Sequence, residues 1–219
     1  MGKISILTQE QKNILDELIK NKYFRLQFYF TGGTALAHYY LQHRYSEDLD
    51  FFSENKFDNL VILSLMEELK KKFSFDFQSR FIEVVYRFNL EFENDINLKV
   101  DFGIYPYKRI EKGSDYKGLQ IDSLLDIAIN KLMTVNQRID IKDFVDLYYL
   151  LKKFTIWDLM QGVKVKFRQD NEPLLVAYDL LKIEEFTALP RMIKPLTLEQ
   201  LKAFYRQKAK ELGMRQVKK

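Results

Sequence analysis

The chain has 219 residues, 47% hydrophobic and 30% charged, with a formal net charge of +4; this is the balance of a folded chain, in one large domain or two small ones, and it excludes intrinsic disorder. The absence of cysteine excludes a disulfide framework, thiolate zinc, iron–sulfur ligation and a cysteine nucleophile. With only two histidines, any metal must rest on oxygen ligands, which favours Mg2+ or Mn2+.

The N-terminal MGKISILTQEQK has no apolar leader core and no small-residue cleavage site. No apolar run approaches the ~20 residues of a membrane span, so a cytoplasmic location without a membrane partner is expected. Thr8 and Gln11 have capping-box spacing, and Ile14, Leu15, Leu18 and Ile19 share a face, predicting a helix from Thr8 to Lys20. Leu26–Gly33 reads as a short strand ending in glycines, followed by a helix over TALAHYYLQH. Asp48–Phe52 reads as a strand, and Asp58 caps a helix carrying Val61, Ile62, Leu65, Met66 and Leu69.

Three segments then alternate with period two, around Phe73–Phe77, Ile82–Phe92 and Ile96–Ile104. They predict half-buried strands in an antiparallel meander, with turns at Ser79–Arg80 and Glu93–Asp95. Pro106–Gly118 reads as a loop and a domain boundary. From Asp122 onward the pattern is helical, with faces at Leu124–Val135 and Phe144–Leu151, a cap at Thr155, and later helices over Glu172–Lys182 and Leu198–Leu212. Leu151–Lys219 holds 15 Lys and Arg against 8 Asp and Glu. This basic end, including Lys208, Lys210, Arg215, Lys218 and Lys219, is expected to be solvated. The fold class is α/β (α+β): a mixed, partly antiparallel sheet with flanking helices over 1–118, then a helical domain over 119–219.

The chemistry concentrates in FTGGTALAHYYLQHRYSEDLDFF, Phe30–Phe52. Gly32 and Gly33 sit between a strand and a helix, where backbone N–H groups can approach a phosphate closely. Asp48 and Asp50 are two apart on a strand, so both carboxylates share one face. Asp101 lies on another strand. If the two strands are neighbours, three carboxylates share a face, a costly arrangement unless a cation neutralises it. Such a set suits two-metal phosphoryl chemistry. Taken alone, an Asp-x-Asp strand is usually a solvated face; the glycine turn and the later acids give the pattern its weight. His38 and His43 read as surface or core residues, and Trp157 as core.

The motifs Gly32-Gly33-Thr34, Arg44-x-Ser46-x-Asp48-x-Asp50-Phe51, Lys131 and Asp143-x-x-Asp146-Leu147 resemble the AbiEii/AbiGii toxin family of nucleotidyltransferases, within the DNA polymerase β-type superfamily. The resemblance covers about Phe28 to Leu151. It implies the nucleotidyltransferase fold, with Asp48 and Asp50 as metal ligands and Asp101 as third ligand or general base. It further implies Gly32, Gly33, Thr34, Arg44 and Ser46 near the nucleotide phosphates, Arg44 alternatively bracing a carboxylate. Lys131 would neutralise the triphosphate, and Asp143 or Asp146 would orient Lys131 or act near the acceptor. The implied activity is transfer of an NMP from an NTP to an acceptor hydroxyl, in RNA and notably tRNA, by a toxin with a cognate antitoxin. Nucleotidylation of a partner protein, or a non-catalytic nucleotide- or partner-binding module, are the competing readings.

Overall fold

The computed structural model describes residues 6–217; Met1–Ser5, which include the start of the segment read for a leader, and Lys218 and Lys219 of the basic tail lie outside the described residues. The chain divides into two compact units. The first comprises Met1–Tyr40, Ser46–Lys108 and Lys112–Ser123, and the second Leu41–Tyr45, Arg109–Glu111 and Leu124–Lys219.

The first unit begins with α1 (Gln9–Leu18), capped by Thr8 and Gln11 in a closed capping box. Next comes α2 (Lys22–Gln27), started by the Asn21 side chain, which accepts from the Phe24 amide. This corrects the expected strand at Leu26: only β1 (Tyr29–Thr31) is extended. The run from Leu26 to the glycines reads as strand, but Asn21 caps a helical turn that extends to Gln27. After β1 a short helix, α3 (Gly32–Ala35), runs into a π-helical turn over Leu36–Leu41. Then follow β2 (Asp48–Ser53) and α4 (Asn59–Phe73), capped by Asp58.

The meander consists of β3 (Phe75–Ile82), β4 (Val85–Phe92) and β5 (Asn97–Ile104). Its first turn falls at Glu83–Val84, with Glu83 left-handed at φ 53°; Ser79 and Arg80, expected in the turn, are paired inside β3. The expected loop at Pro106–Gly118 ends in strand: β6 (Asp115–Tyr116) and β7 (Leu119–Ile121) form a small hairpin. The seven strands form one mixed sheet in the order β3-β4-β5-β2-β1-β7-β6. One face buries aromatic rings: Phe51 lies 4.9 Å from Phe24 and 5.6 Å from Phe102, and Phe88 lies 5.8 Å from Phe102, centroid to centroid. Each fully buried ring stabilises the fold by about 1.5–3 kcal/mol.

The second unit is helical: α5 (Leu124–Gln137), α6 (Ile141–Leu150), α7 (Ile156–Phe167), α8 (Pro173–Leu181) and α9 (Leu198–Val217). Tyr205 of α9 is fully buried, and its hydroxyl donates to the Phe144 carbonyl at 2.6 Å. Among the described residues no helix is long and apolar enough to cross a membrane.

A buried ion pair organises the start of this unit. Lys166 Nζ lies 2.6 Å from Asp126 Oδ1, with neither side chain exposed. The same carboxylate accepts from the Ile110 and Glu111 amides, each at 3.0 Å, fixing the 109–111 segment. Removing one partner of such a pair strands the other charge away from water. Asp126→Ala is expected to destabilise the protein by about 3–5 kcal/mol, the range for breaking a buried pair, read as a lower urea midpoint at unchanged slope.

Candidate active site

The first unit places the glycine turn and the strand acids together. On β2 the residues Leu49 and Phe51 are fully buried, so Asp48 and Asp50 project from the opposite face. Strand β2 pairs in parallel with β5, with Asp50 directly beside Asp101 and Asp48 beside Lys99. Side chains in register share a face, so Asp48, Asp50 and Asp101 lie on the same side of two adjacent strands. On the other flank of β2, Thr31 of β1 is the register partner of Asp50.

Gly32 adjoins that position with φ +74°. A Cβ built there would lie 2.2 Å from Asp50 Oδ2 and 2.8 Å from Asp50 Cγ. The Asp50 carboxylate therefore fills the space a side chain at 32 would need. Thr31 is locked from behind, its hydroxyl donating to Asp122 Oδ2 at 2.8 Å. Thr34 is fully buried, and its hydroxyl donates to the Asp48 carbonyl. The Ser46 carbonyl accepts from Gln11 Nε2 at 3.0 Å. The turn and the entry to β2 are thus held by hydrogen bonds on both sides.

Cationic side chains neutralise these acids. Arg87 donates to both oxygens of Asp101, at 2.8 and 2.7 Å, and Lys99 Nζ lies 2.6 Å from Asp48 Oδ2. Hydrogen bonding to Asp101, with the Asp48 and Asp50 charges behind it, holds the Arg87 guanidinium still further in its charged form against partial burial. Among the described residues no group of three acidic or imidazole side chains is gathered closely enough to hold a metal ion. The carboxylate oxygens of Asp48, Asp50 and Asp101 are the donor type a hard divalent cation takes; here Arg87 and Lys99 engage those of Asp101 and Asp48. Arg87 and Lys99 were not singled out from the sequence. A signal was available, because Arg87 and Asp101 are equidistant from Asn94, the centre of the second expected turn.

The other sequence-derived candidates form a separate network inside the second unit. Asp146 of α6 is fully buried. It accepts Arg44 Nε and Nη2 at 2.7 and 2.8 Å and lies 2.6 Å from Lys131 Nζ. Lys131 also donates to Asp143 at 2.7 Å, and Arg138 closes on the other Asp143 oxygen at 2.8 Å. Arg44 is buried and braces a carboxylate, the second of the two roles weighed for it. Burial alone would raise the Asp146 carboxyl, but the Lys131 ammonium and Arg44 guanidinium hold it well below the ordinary carboxylate range. Burial likewise works against the Lys131 ammonium, and the two aspartates outweigh it and push its pKa up.

His43 completes the network. It is fully buried, with Nε2 2.7 Å from Asp146 Oδ1, and its backbone carbonyl accepts from the Ile193 and Lys194 amides at 2.9 and 3.0 Å. Burial lowers the imidazole pKa more than Asp146 raises it. This favours the uncharged ring, with Nε2 facing the Asp146 carboxylate.

A family model described as nucleotidyl transferase AbiEii toxin, type IV toxin–antitoxin system, matches residues 13–219. An uncharacterized protein of Aquifex aeolicus is 30% identical over 213 residues, covering 94% of this chain and 97% of that protein. Among solved structures, JHP933 from Helicobacter pylori superposes with a TM-score of 0.57 at 20% identity, over 96% of this chain and 93% of its own. MenT4, a nucleotidyltransferase toxin from Mycobacterium tuberculosis, superposes with a TM-score of 0.57 at 17% identity, over 92% and 81% respectively. At such identities these two likenesses establish a shared fold.

Two outcomes follow from the geometry. Gly32→Ala must strain a left-handed residue and displace the Asp50 carboxylate; it is expected to lower nucleotidyl transfer at least ~100-fold, as when a catalytic group is misplaced by about 1 Å, while circular dichroism stays that of the folded protein. A histidine whose folded pKa lies below its unfolded 6.5 makes the unfolded state bind more protons as pH falls through 6.5, so stability drops with acidification. Thermal midpoints measured from pH 7.5 down to about 5.5, a window set by the ordinary histidine pKa, should fall in the native protein and fall less in His43→Gln.

Proposed function

The chain belongs to the AbiEii family of nucleotidyl transferase toxins, and from that premise we propose that this nucleotidyltransferase moves an NMP from an NTP to a hydroxyl of RNA, with tRNA as the first expected acceptor. One observation carries the reading: Asp50 lies against Gly32, with Asp101 beside it in register and Asp48 two residues before it. Acids from two strands thus meet a turn whose backbone is bare.

The acceptor oxygen attacks the α-phosphorus, the bond from that phosphorus to the bridging oxygen breaks, and pyrophosphate leaves. A divalent ion, Mg2+ or Mn2+, when bound supplies neutralisation of the triphosphate and a more acidic acceptor hydroxyl; Asp48 and Asp50 would hold it, with Asp101 as third ligand or as base for the acceptor proton. Arg87 fixes the Asp101 carboxylate in one orientation through two hydrogen bonds. Gly32 and Gly33 offer backbone N–H groups to phosphate oxygens, and Ser46 adds a hydroxyl nearby in sequence. Thr34 serves the site by tethering the first residue of β2. In the second unit Lys131, with 10% of its side chain exposed, is the cation expected to meet a phosphate, oriented by Asp143 and Asp146. Arg44 holds Asp146 in place for that task. The family's description implies an antitoxin as partner.

The test is label transfer. Purified protein, Mg2+ and each α-labelled NTP are incubated with tRNA and, separately, with cell extract. Label is expected in RNA and to fall at least ~100-fold in Asp50→Asn, the scale for loss of a group that stabilises transferring phosphate, with the thermal midpoint retained. Label in a protein band would move the acceptor from RNA to protein. Label in neither, or full labelling by Asp48→Asn and Asp50→Asn, would overturn the enzymatic reading.

A further inference from the structure

The sheet register lines up one row of side chains across five strands. Arg80 of β3 pairs with Arg87 of β4, and Arg87 with Asp101 of β5. Asp101 then neighbours Asp50 of β2, and Asp50 pairs with Thr31 of β1. A second row runs beside it through Gln78, Asn89, Lys99 and Asp48. All of these side chains are polar and share the face opposite the aromatic core. Gln78 and Arg80 are exposed, and Arg87, Asn89 and Lys99 are half-buried. Charge therefore changes sign along the row, from the acids at β2 and β5 to arginines at β4 and β3, over three strand spacings or about 15 Å.

The outer end of the row has no structural explanation within the fold. Like charges directly opposite on paired strands destabilise the sheet. Arg87 is neutralised by Asp101, whereas Arg80 makes no ion pair among the described residues. A strand at the sheet edge commonly carries a charge against aggregation, but that role would be met without placing it in register with a second arginine. An anion bound at Arg80 would supply the counter-charge that Asp101 gives Arg87.

We propose that these two polar rows on β3, β4 and β5 are the acceptor track: they bind the sugar–phosphate backbone of single-stranded RNA and lead a terminal hydroxyl to Asp50 and Asp101. The inference rests on the reading of these acids as the nucleotidyl-transfer site. Arg80 contacts a backbone phosphate, and Gln78 and Asn89 hydrogen-bond to ribose or base edges. The two rows favour RNA over a protein acceptor because they are polar and the first ends in the exposed Arg80, while the Asp76–Glu91 pair borders the second row and confines an anionic strand to the Arg80 side. A protein partner would need an apolar anchor pocket, and neither row supplies one. Phosphate contacts of this kind position a strand without reading its sequence.

The experiment uses the full chain and Arg80→Glu, Arg80→Ala and Arg80→Lys. Arg80 is exposed on an edge strand, so the variants should keep the thermal midpoint. Binding of a short, mixed-sequence, 5′-fluorescein-labelled oligoribonucleotide is read by anisotropy across a KCl series. Arg80→Glu is expected to weaken binding at least ~10-fold and Arg80→Ala about 3- to 5-fold, with the salt slope of Arg80→Ala reduced by about 1, as for loss of one phosphate contact. Arg80→Lys should stay near the native protein, because a point charge suffices. In transfer assays the RNA KM should rise in Arg80→Glu, while the NTP KM and the kcat at saturating RNA hold. Native-like RNA affinity and RNA KM in Arg80→Glu would overturn the track, as would no detectable RNA binding by the native chain. A selective loss of protein labelling in that variant would overturn it in favour of a protein acceptor. Arg80-dependent binding by a native chain that labels nothing would keep the track and sink the enzymatic reading, so the two failures are distinguishable.

Discussion

Everything about the acid site depends on the two-residue repeat of β2. Leu49 and Phe51 enter the aromatic core, and the pleat then has no choice but to send Asp48 and Asp50 the other way. Strand β5 obeys the same rule, with Val100 and Phe102 buried on the core side. A slip of one residue between these strands would move Phe51 into water and Asp50 into the ring cluster, so the core itself polices the register. The hydrophobic effect thereby sets the position of charged groups it never touches.

Charge of one sign gathered in one place must be compensated, and the two units do so differently. In the first, the counter-charges are partly exposed: Arg87 and Lys99 keep about a quarter to a third of their side chains in solvent, at 25% and 32%. The Lys99–Asp48 pair, partly exposed on both sides, is cheap to open, whereas Arg87 holds the buried Asp101 by two hydrogen bonds. In the second, Asp146 is enclosed with Arg44, Lys131 and His43, where opening any pair strands a charge in a poor solvent. The first arrangement leaves its counter-charges open to solvent, and the second fixes Asp143 and Asp146 around Lys131.

Much of this was legible in the residues. The Thr8–Gln11 box, the Asp58 and Thr155 caps, the strand at Asp48 and the long period-two runs all lie where local chemistry dictates them. The family resemblance likewise rested on short motifs that the matching family model spans. The strand expected from Leu26 begins only at Tyr29, because the Asn21 cap starts a helical turn that runs to Gln27. Placing the first hairpin turn at Ser79–Arg80 hid the pairing of Arg80 with Arg87, since cross-strand partners follow from the turn centre, which lies at Glu83–Val84. The β6–β7 hairpin was invisible because strands of two and three residues carry too little periodicity. His43 and Arg44 gave no local hint of their partner, which lies a hundred residues further along the chain.

That separation has a consequence for dissection of the gene. The helical unit borrows Leu41–Tyr45 and Arg109–Glu111 from the first half of the chain. A fragment beginning at Leu124 would contain Asp146 without Arg44 and His43, and Asp126 without the amides of Ile110 and Glu111. It would inherit the acids but not their counterparts, so the two halves are a single heritable module, and exchange of the helical half between relatives would succeed only when those two short stretches travel with it.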